Sequence, residues 1–303
     1  MKKWTILTAI FLLVLFVPIY IFIPGKLHIV RLGSARCNPT GGFRALLQDS
    51  NWHKWVETSR VKEDSFQFST AYYHALGITV KGAGGWEADS RLNILPAGKD
   101  SVVLQWQCEL PSSLNPWDRI RQYRRAVRLK EEMDRTLARL TVFLSNKVNI
   151  YGMPVLNTFS QDSSLISGIV VTPGYPSTQD IYRMIRVIRT YITGQGAKET
   201  SHPMLHTSRR GDGRFESMVA IPIDRRLNGN DSLTPKRFVP WKIVMGEVRG
   251  GASTAEEAMR QLHQYIEDYE HTSMAIPFQS LVTERDQEPD TTRWITRVIQ
   301  PVS

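Results

Sequence analysis

Glu247 is the side chain with the clearest chemical potential in this sequence. It lies in "WKIVMGEVR" (241–249), whose alternation is typical of a strand and puts Trp241, Met245 and Glu247 on one face. A carboxylate on an apolar face must either be paired with a cation or have a raised pKa. In the second case it is suited to act as a general acid or base. Arg297 is the candidate partner, and the alternative is that Glu247 lies in water at the end of the strand.

Four aromatic residues are candidate apolar walls beside this face: Tyr175, Tyr182, Phe278 and Trp294. Each of them is also an ordinary core residue, so both roles stay open. Together with the four residues named above, they form the predicted ligand-binding set.

Other motifs with chemical meaning are weak. The segment "SHPMLH" places His202 and His206 four residues apart, as in a helical metal pair, but Pro203 disfavours that helix and no third ligand is evident. The sequence contains no P-loop, no dinucleotide-binding G-x-G-x-x-G and no G-x-S-x-G. We therefore predict no metal site and no cofactor, and we assign no catalytic residue.

The elements that would position these residues occur twice. "TPGYPSTQDIYRMIRVIRTYI" (172–192) and "VRGGASTAEEAMRQLHQYI" (248–266) both run from a turn with glycine, through Ser-Thr, to Tyr-Ile. Each belongs to a strand–helix–strand repeat, at about 165–223 and 241–303, with Ser177 and Ser253 as the predicted N-caps. One repeat cannot bury its own apolar face. We therefore expect the two to pack about a pseudo-twofold axis, with a groove between their sheets.

The segments "GGASTAEEAMRQLHQYI" and "TTRWITRVIQPV" closely resemble the gyrase-inhibitor-like (GyrI-like) effector-binding domain of bacteria, over about residues 150–303. The resemblance implies a central groove for small organic molecules, often aromatic cations. In that family an acidic residue of the last strand commonly meets the cation, in a pattern like W-x-T-E-I-x-x-P. Trp294, Thr296 and Pro301 match the pattern, but Arg297 occupies the acidic position, which favours anionic or neutral ligands.

The first half of the chain is predicted to be a strand, a short helix, several short strands and one long helix, which is an α+β order. "NWHKW", "VVLQWQCEL" and "NPWDRI…LARLTVFL" resemble the START-like (SRPBCC, polyketide cyclase-like) helix-grip family over about 25–146. This resemblance implies a curved antiparallel sheet around the long helix, with a cavity for an apolar ligand. The residues that would line or fill the cavity, with filling favoured, are Tyr72, Tyr73, Trp86 and Trp106.

The N-terminal "MKKWTILTAIFLLVLFVPIYIFIPGK" has no charged residue between Lys3 and Lys26. Residues 5–23 would rise about 28 Å as a helix, close to the ~30 Å hydrocarbon core of a bilayer. The alternative is a cleaved signal peptide, but no small-residue cleavage site follows. We therefore predict a single-pass anchor that lies in a bacterial inner membrane through residues 4–24, with the soluble domains on the periplasmic side.

The formal net charge is +9, and the excess of basic residues lies in the first half. Basic residues outnumber acidic ones between Arg119 and Arg139, which is typical of a solvated helix face or of a surface that attracts anionic lipid headgroups. Nucleic-acid binding is not predicted, because no reading element is visible.

The predicted fold is therefore α+β, with a transmembrane anchor at 1–24, a helix-grip domain at 25–147 and a GyrI-like domain at 148–303. The predicted function is a membrane-anchored, non-catalytic binding protein for a small amphipathic or anionic organic ligand. One alternative is a hydrolase that uses the groove carboxylate Glu247, and another is a structural protein whose cavities are filled. The sequence does not predict an oligomeric state.

Overall fold

The computed structural model describes residue 14 and residues 16–56, 65–82 and 85–303. The chain forms two compact units, Met1–Asn146 and Lys147–Ser303. Within the described ranges, each unit contains one antiparallel sheet together with helices, which agrees with the predicted α+β class.

The first unit begins with helical residues at 16–22, here α1. Its remaining elements, in chain order, are β1 (Lys26–Ala35), α2 (Pro39–Leu46), α3 (Asp49–Trp52), β2 (Ser65–Tyr72), β3 (Ala75–Gly82), β4 (Trp86–Gly98), β5 (Ser101–Pro111) and α4 (Pro116–Ser145). The sheet has the order β1-β5-β4-β3-β2, so the first and last strands are neighbours.

The long helix α4 packs against β1 and β5. Gly33 permits a close approach there, because a Cβ at this position would lie 3.1 Å from Cγ of Leu137. Trp106 is fully buried and its Nε1 donates to Oγ of Ser90 at 3.0 Å, whereas Tyr73 is 90% exposed. Trp106 therefore belongs to the filled interior of the unit, and Tyr73 does not.

The predicted N-terminal transmembrane helix is wrong. No helix among the described residues is long and apolar enough to cross a membrane. Residues 1–13 and 15, which carry most of the predicted span, lie outside the described residues. The described helical residues 16–22 lie at the end of the predicted span. Their end is held by Arg119, whose guanidinium donates to the carbonyl oxygen of Ile23 and lies over the ring of Tyr20.

The second unit contains two long helices and eight strands within the part of the chain that is described. In chain order its elements are α5 (Lys147–Tyr151), β6 (Val155–Phe159), β7 (Ser163–Thr172), α6 (Thr178–Gly194), β8 (Met204–Arg209), β9 (Phe215–Ile223), β10 (Thr234–Phe238), β11 (Lys242–Arg249), α7 (Ala252–Asp268), β12 (Phe278–Leu281), a 3-10 turn (Thr291–Arg293) and β13 (Ile295–Pro301).

The duplication is visible in the strand order β10-β7-β9-β8-β12-β13-β11-β6. Each repeat is strand–helix–strand–strand, β7-α6-β8-β9 and β11-α7-β12-β13, which is one strand more than the predicted unit. The repeats meet where β12 pairs with β8. Helix α6 covers β7 and β9, and α7 covers β11 and β13, so the other face of the sheet stays free of helices.

The predicted N-caps have different outcomes. Ser177 is the N-cap of α6, and its hydroxyl accepts from the Asp180 N–H while the Asp180 carboxylate accepts from the Ser177 N–H. This reciprocal arrangement is a capping box. Ser253 is not a cap, because α7 begins two residues earlier with Gly251 at the N-cap. The prediction for Ser253 is therefore wrong.

Candidate functional site

The helix-free face of the second sheet carries a groove of about 870 Å³, with an apolar floor and mostly polar walls. Strand alternation points side chains of β8, β11, β12 and β13 into it. Ile243, Phe278 and Ile299 form a buried cluster there. Met204, Phe238 and Met245 are partly buried against this cluster.

The sheet must curl to form this groove, because of two short connections. Residues 160–162 join β6, at one edge, to β7, which lies next to the other edge, and residues 239–241 join β10 to β11. In a flat sheet these strands would be six places, or about 29 Å, apart. A link of this length reaches at most about 14 Å. The two edges therefore approach each other, and the curl encloses the groove.

The two short connections are joined by hydrogen bonds. The Ser160 N–H donates to the carbonyl oxygen of Trp241 at 2.8 Å, and the Trp241 N–H donates to Oγ of Ser160 at 2.8 Å. Phe238, at the end of edge strand β10, meets Phe278 edge-on with ring centroids 5.6 Å apart. These contacts hold the curled edges in place over the apolar floor.

The polar walls of the groove are richer in arginine than in acid: Arg226, Arg237, Arg297, Asp162 and Asp224. Nε of Arg237 donates to Asp162 at 3.0 Å. Arg226 is exposed and forms no hydrogen bond or ion pair with any described residue. The groove therefore combines an apolar floor with an arginine that is not neutralised by a neighbour.

Glu247 and Arg297 are directly opposite each other in the β11–β13 register. Nε of Arg297 donates to Oε2 of Glu247 at 2.9 Å, so the expected ion pair is present. Both side chains are more than two-fifths exposed. Arg297 lines the groove, whereas Glu247 is not among its lining residues.

The structure brings together only part of the predicted ligand set. Met245, Phe278 and Arg297 line the groove. Trp241 lies at the connection that closes the sheet, is 40% exposed and donates from Nε1 to the Val302 carbonyl oxygen at 2.9 Å. The other three aromatic residues lie elsewhere in the unit.

Tyr182 and Trp294 are buried on the helical side of the sheet. The Tyr182 hydroxyl accepts from the Arg285 N–H at 2.7 Å and donates to the Thr283 carbonyl oxygen, and burial raises the pKa of Tyr182 to about 12. Trp294 donates from Nε1 to the Glu288 carbonyl oxygen at 2.8 Å. Hydrogen bonds thus hold both residues within the core of the unit.

Tyr175 lines a second, smaller cavity of about 380 Å³ on the helical face. Its floor is apolar and includes Leu205 of β8 and Met259 and Leu262 of α7. Burial and a hydrogen bond to Glu256 of α7 raise the pKa of Tyr175. This cavity was not predicted from the sequence.

The sequence interpretation also missed three residues of the groove, Met204, Phe238 and Arg226. Met204 and Phe238 lie in short strands that the interpretation did not assign, whereas Arg226 follows the assigned strand β9. Phe238 ends "TPKRF", a five-residue strand with a single large apolar residue. Only its pairing with β7 places that side chain over the groove floor.

His202 precedes β8 and His206 lies on it, so the two histidines are not on a helix. Nδ1 of His206 lies 2.7 Å from the Pro277 carbonyl oxygen. No group of three or more His, Cys, Asp or Glu side chains within the described ranges is arranged to hold a metal ion.

Comparison with known proteins shows no family. No protein-family model matches the chain, and no curated protein matches it. The C-terminal domain of EcmrR is similar with a TM-score of 0.44 and 13% identity, over 50% of this chain and 98% of that domain. A hydrolase from Listeria innocua is similar with a TM-score of 0.38 and 11% identity, over 50% of this chain and 92% of that protein.

SAV2435 bound to tetraphenylphosphonium has a TM-score of 0.32 and 15% identity, over 50% of this chain and 94% of that one. EcmrR's domain and SAV2435 have GyrI-like effector-binding folds, the resemblance predicted for residues 148–303. TM-scores this low carry no argument about family or function. The helix-grip resemblance of the first half has no support from these neighbours.

Proposed function

We propose that the second unit binds a small amphipathic organic molecule in the groove of its curled sheet. The observation that carries the proposal is the groove itself, about 870 Å³ with a floor of aliphatic and aromatic side chains. Small-molecule sites typically have volumes in this range and combine apolar walls with a few polar groups that fix orientation.

The ligand carries an anionic or neutral polar end rather than a cationic one. Arg226 has no partner among the described residues, and Arg297 lines the groove while its Nε bonds Glu247. A guanidinium stays protonated at any physiological pH, so it repels a cation held nearby. Arg237 contributes less to this preference, because it is paired with Asp162.

Glu247, which the alternative hydrolase would use, is poorly suited to acid–base catalysis. A general acid or base works best when its carboxylate is withheld from water and from neighbouring cations. Glu247 is half exposed and ion-paired with Arg297. Binding without chemistry is therefore the function that this geometry favours.

Filling the groove tests the proposal. Isothermal titration of the full chain with 2-naphthoate should show saturable binding, and Met245→Trp should abolish it, because an indole on the groove floor occupies the space of the ligand. Val187→Trp is the matched control, since it adds the same group on an exposed part of α6. Binding that survives Met245→Trp would overturn the groove assignment.

Ligand charge is tested separately with 2-naphthylmethylammonium, which matches 2-naphthoate in size. We expect the anion to bind more tightly to the unmodified chain. The double variant Arg226→Gln/Arg297→Gln should remove that preference while Met245 and Phe278 still hold the ring. Tighter binding of the cation by the unmodified chain would contradict the assignment of ligand charge but not the groove itself.

A further inference from the structure

Arg285 is a buried cation in the segment between β12 and β13. The residue as a whole is only 8% exposed. Its backbone N–H donates to the Tyr182 hydroxyl at 2.7 Å, and its Nη2 donates to Oγ1 of Thr296 at 2.7 Å. The guanidinium carbon lies 4.9 Å from the centre of the Trp294 ring. These contacts place the guanidinium on the helical side of the sheet, away from the ligand groove.

The guanidinium lacks the partner that a buried cation needs. Nε of Arg285 is buried and has no hydrogen-bond partner among the described residues. No described carboxylate forms an ion pair with Arg285, and the titratable groups that act on it are the hydroxyls of Tyr182 and Tyr175. Burial lowers the pKa of Arg285. Arginine nevertheless remains protonated at neutral pH, so the positive charge persists.

Buried charges in proteins are normally paired and hydrogen-bonded, because removing an ion from water is costly. Glu256 of α7 does not serve this purpose, since it forms no ion pair with Arg285 and acts on the Tyr175 hydroxyl instead. The stacking on Trp294 offsets only part of the cost. The unpaired Nε–H therefore indicates that an anion completes this arrangement.

A second positive feature lies beside the same tryptophan. The Gly250 N–H donates to the Trp294 carbonyl oxygen at 2.8 Å, immediately before α7 begins. The N-cap Gly251 has no side chain to accept from the first turn, and that turn contains no acidic residue. Free N–H groups and the helix dipole make such an end favourable for an anion.

We propose that Arg285 and the first turn of α7 form a binding site for a carboxylate group. A guanidinium presents Nε–H and Nη2–H along one edge, which matches the two oxygens of a carboxylate. The carboxylate belongs either to a free small anion or to the end of a longer ligand whose apolar part occupies the 380 Å³ cavity beside Tyr175. This site is on the opposite face from the groove of the proposed function and does not depend on it.

The test follows the arginine Nε–H signals of the ¹⁵N-labelled full chain during titration with sodium acetate. Sodium chloride keeps the ionic strength constant. The Arg285 signal is identified by its disappearance in Arg285→Met. We expect this signal to shift saturably, and we expect the signal of the exposed Arg124 of α4 not to. The shared signals of Arg124→Met should respond as in the unmodified chain.

Gly251→Asp provides a second variant in case Arg285→Met does not fold. The φ of Gly251 is −71°, and a Cβ there would meet only ordinary contacts at 3.6 Å, so aspartate fits. Its carboxylate would compete with acetate from within the chain. We expect the apparent affinity of Arg285 for acetate to fall more than about tenfold, as for the loss of a charge-assisted hydrogen bond.

A parallel titration with 4-phenylbutyrate distinguishes the two sources of the carboxylate. If 4-phenylbutyrate binds more tightly than acetate and this gain is lost in Met259→Trp, the site holds the end of a longer ligand. If the two carboxylates bind equally tightly and Met259→Trp changes neither affinity, the site holds a free small anion. The proposal is overturned if the Arg285 signal does not respond to either carboxylate, or responds equally to chloride. A buried water would then be the partner of the Nε–H.

Discussion

The two repeats of the second unit have the same framework but differ at the start of their helices. Helices α6 and α7 each contain 17 residues, and α7 begins 74 residues after α6. At the N-cap, α6 has Ser177 with its capping box, whereas α7 has Gly251 with no side-chain cap. The two copies thus have helices of equal length, but only the first helix has a side-chain cap.

The faces with which the two helices pack against the sheet also differ. At equivalent positions, α6 has the buried Ile181 and Ile185, where α7 has Ala255 and Met259. Smaller or more flexible side chains fill less space, and the 380 Å³ cavity is lined by residues of α7 and by none of α6. The unpaired cation and the helical residues that line the cavity therefore belong to the second repeat, while Tyr175 and β8 of the first repeat complete the cavity wall.

The largest effect is expected from truncating one buried side chain in each helix, which tests whether the two helices are equally well packed. Ile188 and Leu262 are equivalent and fully buried. Ile188→Ala and Leu262→Ala should each lower the free energy of unfolding by about 2–5 kcal/mol, through lost burial and a new cavity. Urea unfolding of the full chain measures this. We expect the smaller loss at Leu262, which already borders a cavity, and a larger loss there would contradict the packing difference.

The next largest effect on stability is expected from removing the N-cap of α6. Ser177→Ala should lower the free energy of unfolding by about 1 kcal/mol, because the Asp180 N–H loses its acceptor. Ser253→Ala is the matched control, since Ser253 is exposed and lies inside α7 rather than at its cap. Equal losses in the two variants, measured by urea unfolding, would show that the repeats do not differ in capping.

Restoring the missing cap should produce a smaller effect of opposite sign. Gly251→Asp should raise the free energy of unfolding by about 0.3–1 kcal/mol, because a carboxylate at this position favours the first turn of α7. Gly251→Ala serves as the control, since it adds a Cβ without an acceptor. No gain of aspartate over alanine would mean that the N-terminus of α7 is already satisfied.

The smallest effect concerns pH. The Ser177 hydroxyl and N–H hold the pKa of Asp180 below its ordinary value of 3.8. A lowered pKa stabilises the fold above the ordinary value, and this stabilisation is lost as pH falls through the folded-state value. The difference in stability between the unmodified chain and Asp180→Asn should therefore shrink below about pH 3.8. A difference that stays constant from pH 6 to pH 3 would rule out this contribution.

The repeat illustrates how far pattern matching can be trusted. Tyr191 and Tyr265, like the two helix starts, are 74 residues apart, whereas the Ser-Thr pairs are 76 apart. Matching the letters Ser-Thr moved the predicted cap of α7 by two residues. The constant spacing of the apolar positions was the better guide, because burial of one helix face fixes register more strongly than an exposed cap does.

Composition alone misled the prediction of the N-terminal helix. An apolar run of suitable length satisfied the rule for a membrane span, but no helix among the described residues is long and apolar enough to cross a membrane. Hydropathy records which side chains avoid water and not what covers them.

The sequence by itself determined the α+β class and the duplicated repeat, and it indicated Arg297 as the partner of Glu247. These follow from local periodicity and from charge. Tertiary structure decided that the sheet curls, that Phe238 reaches Phe278, and that Tyr182 and Trp294 lie on the helical side. It also placed Arg285 in a buried position without a counter-ion. Such features depend on contacts between residues far apart in the chain, and no local pattern in the sequence encodes which segments will meet.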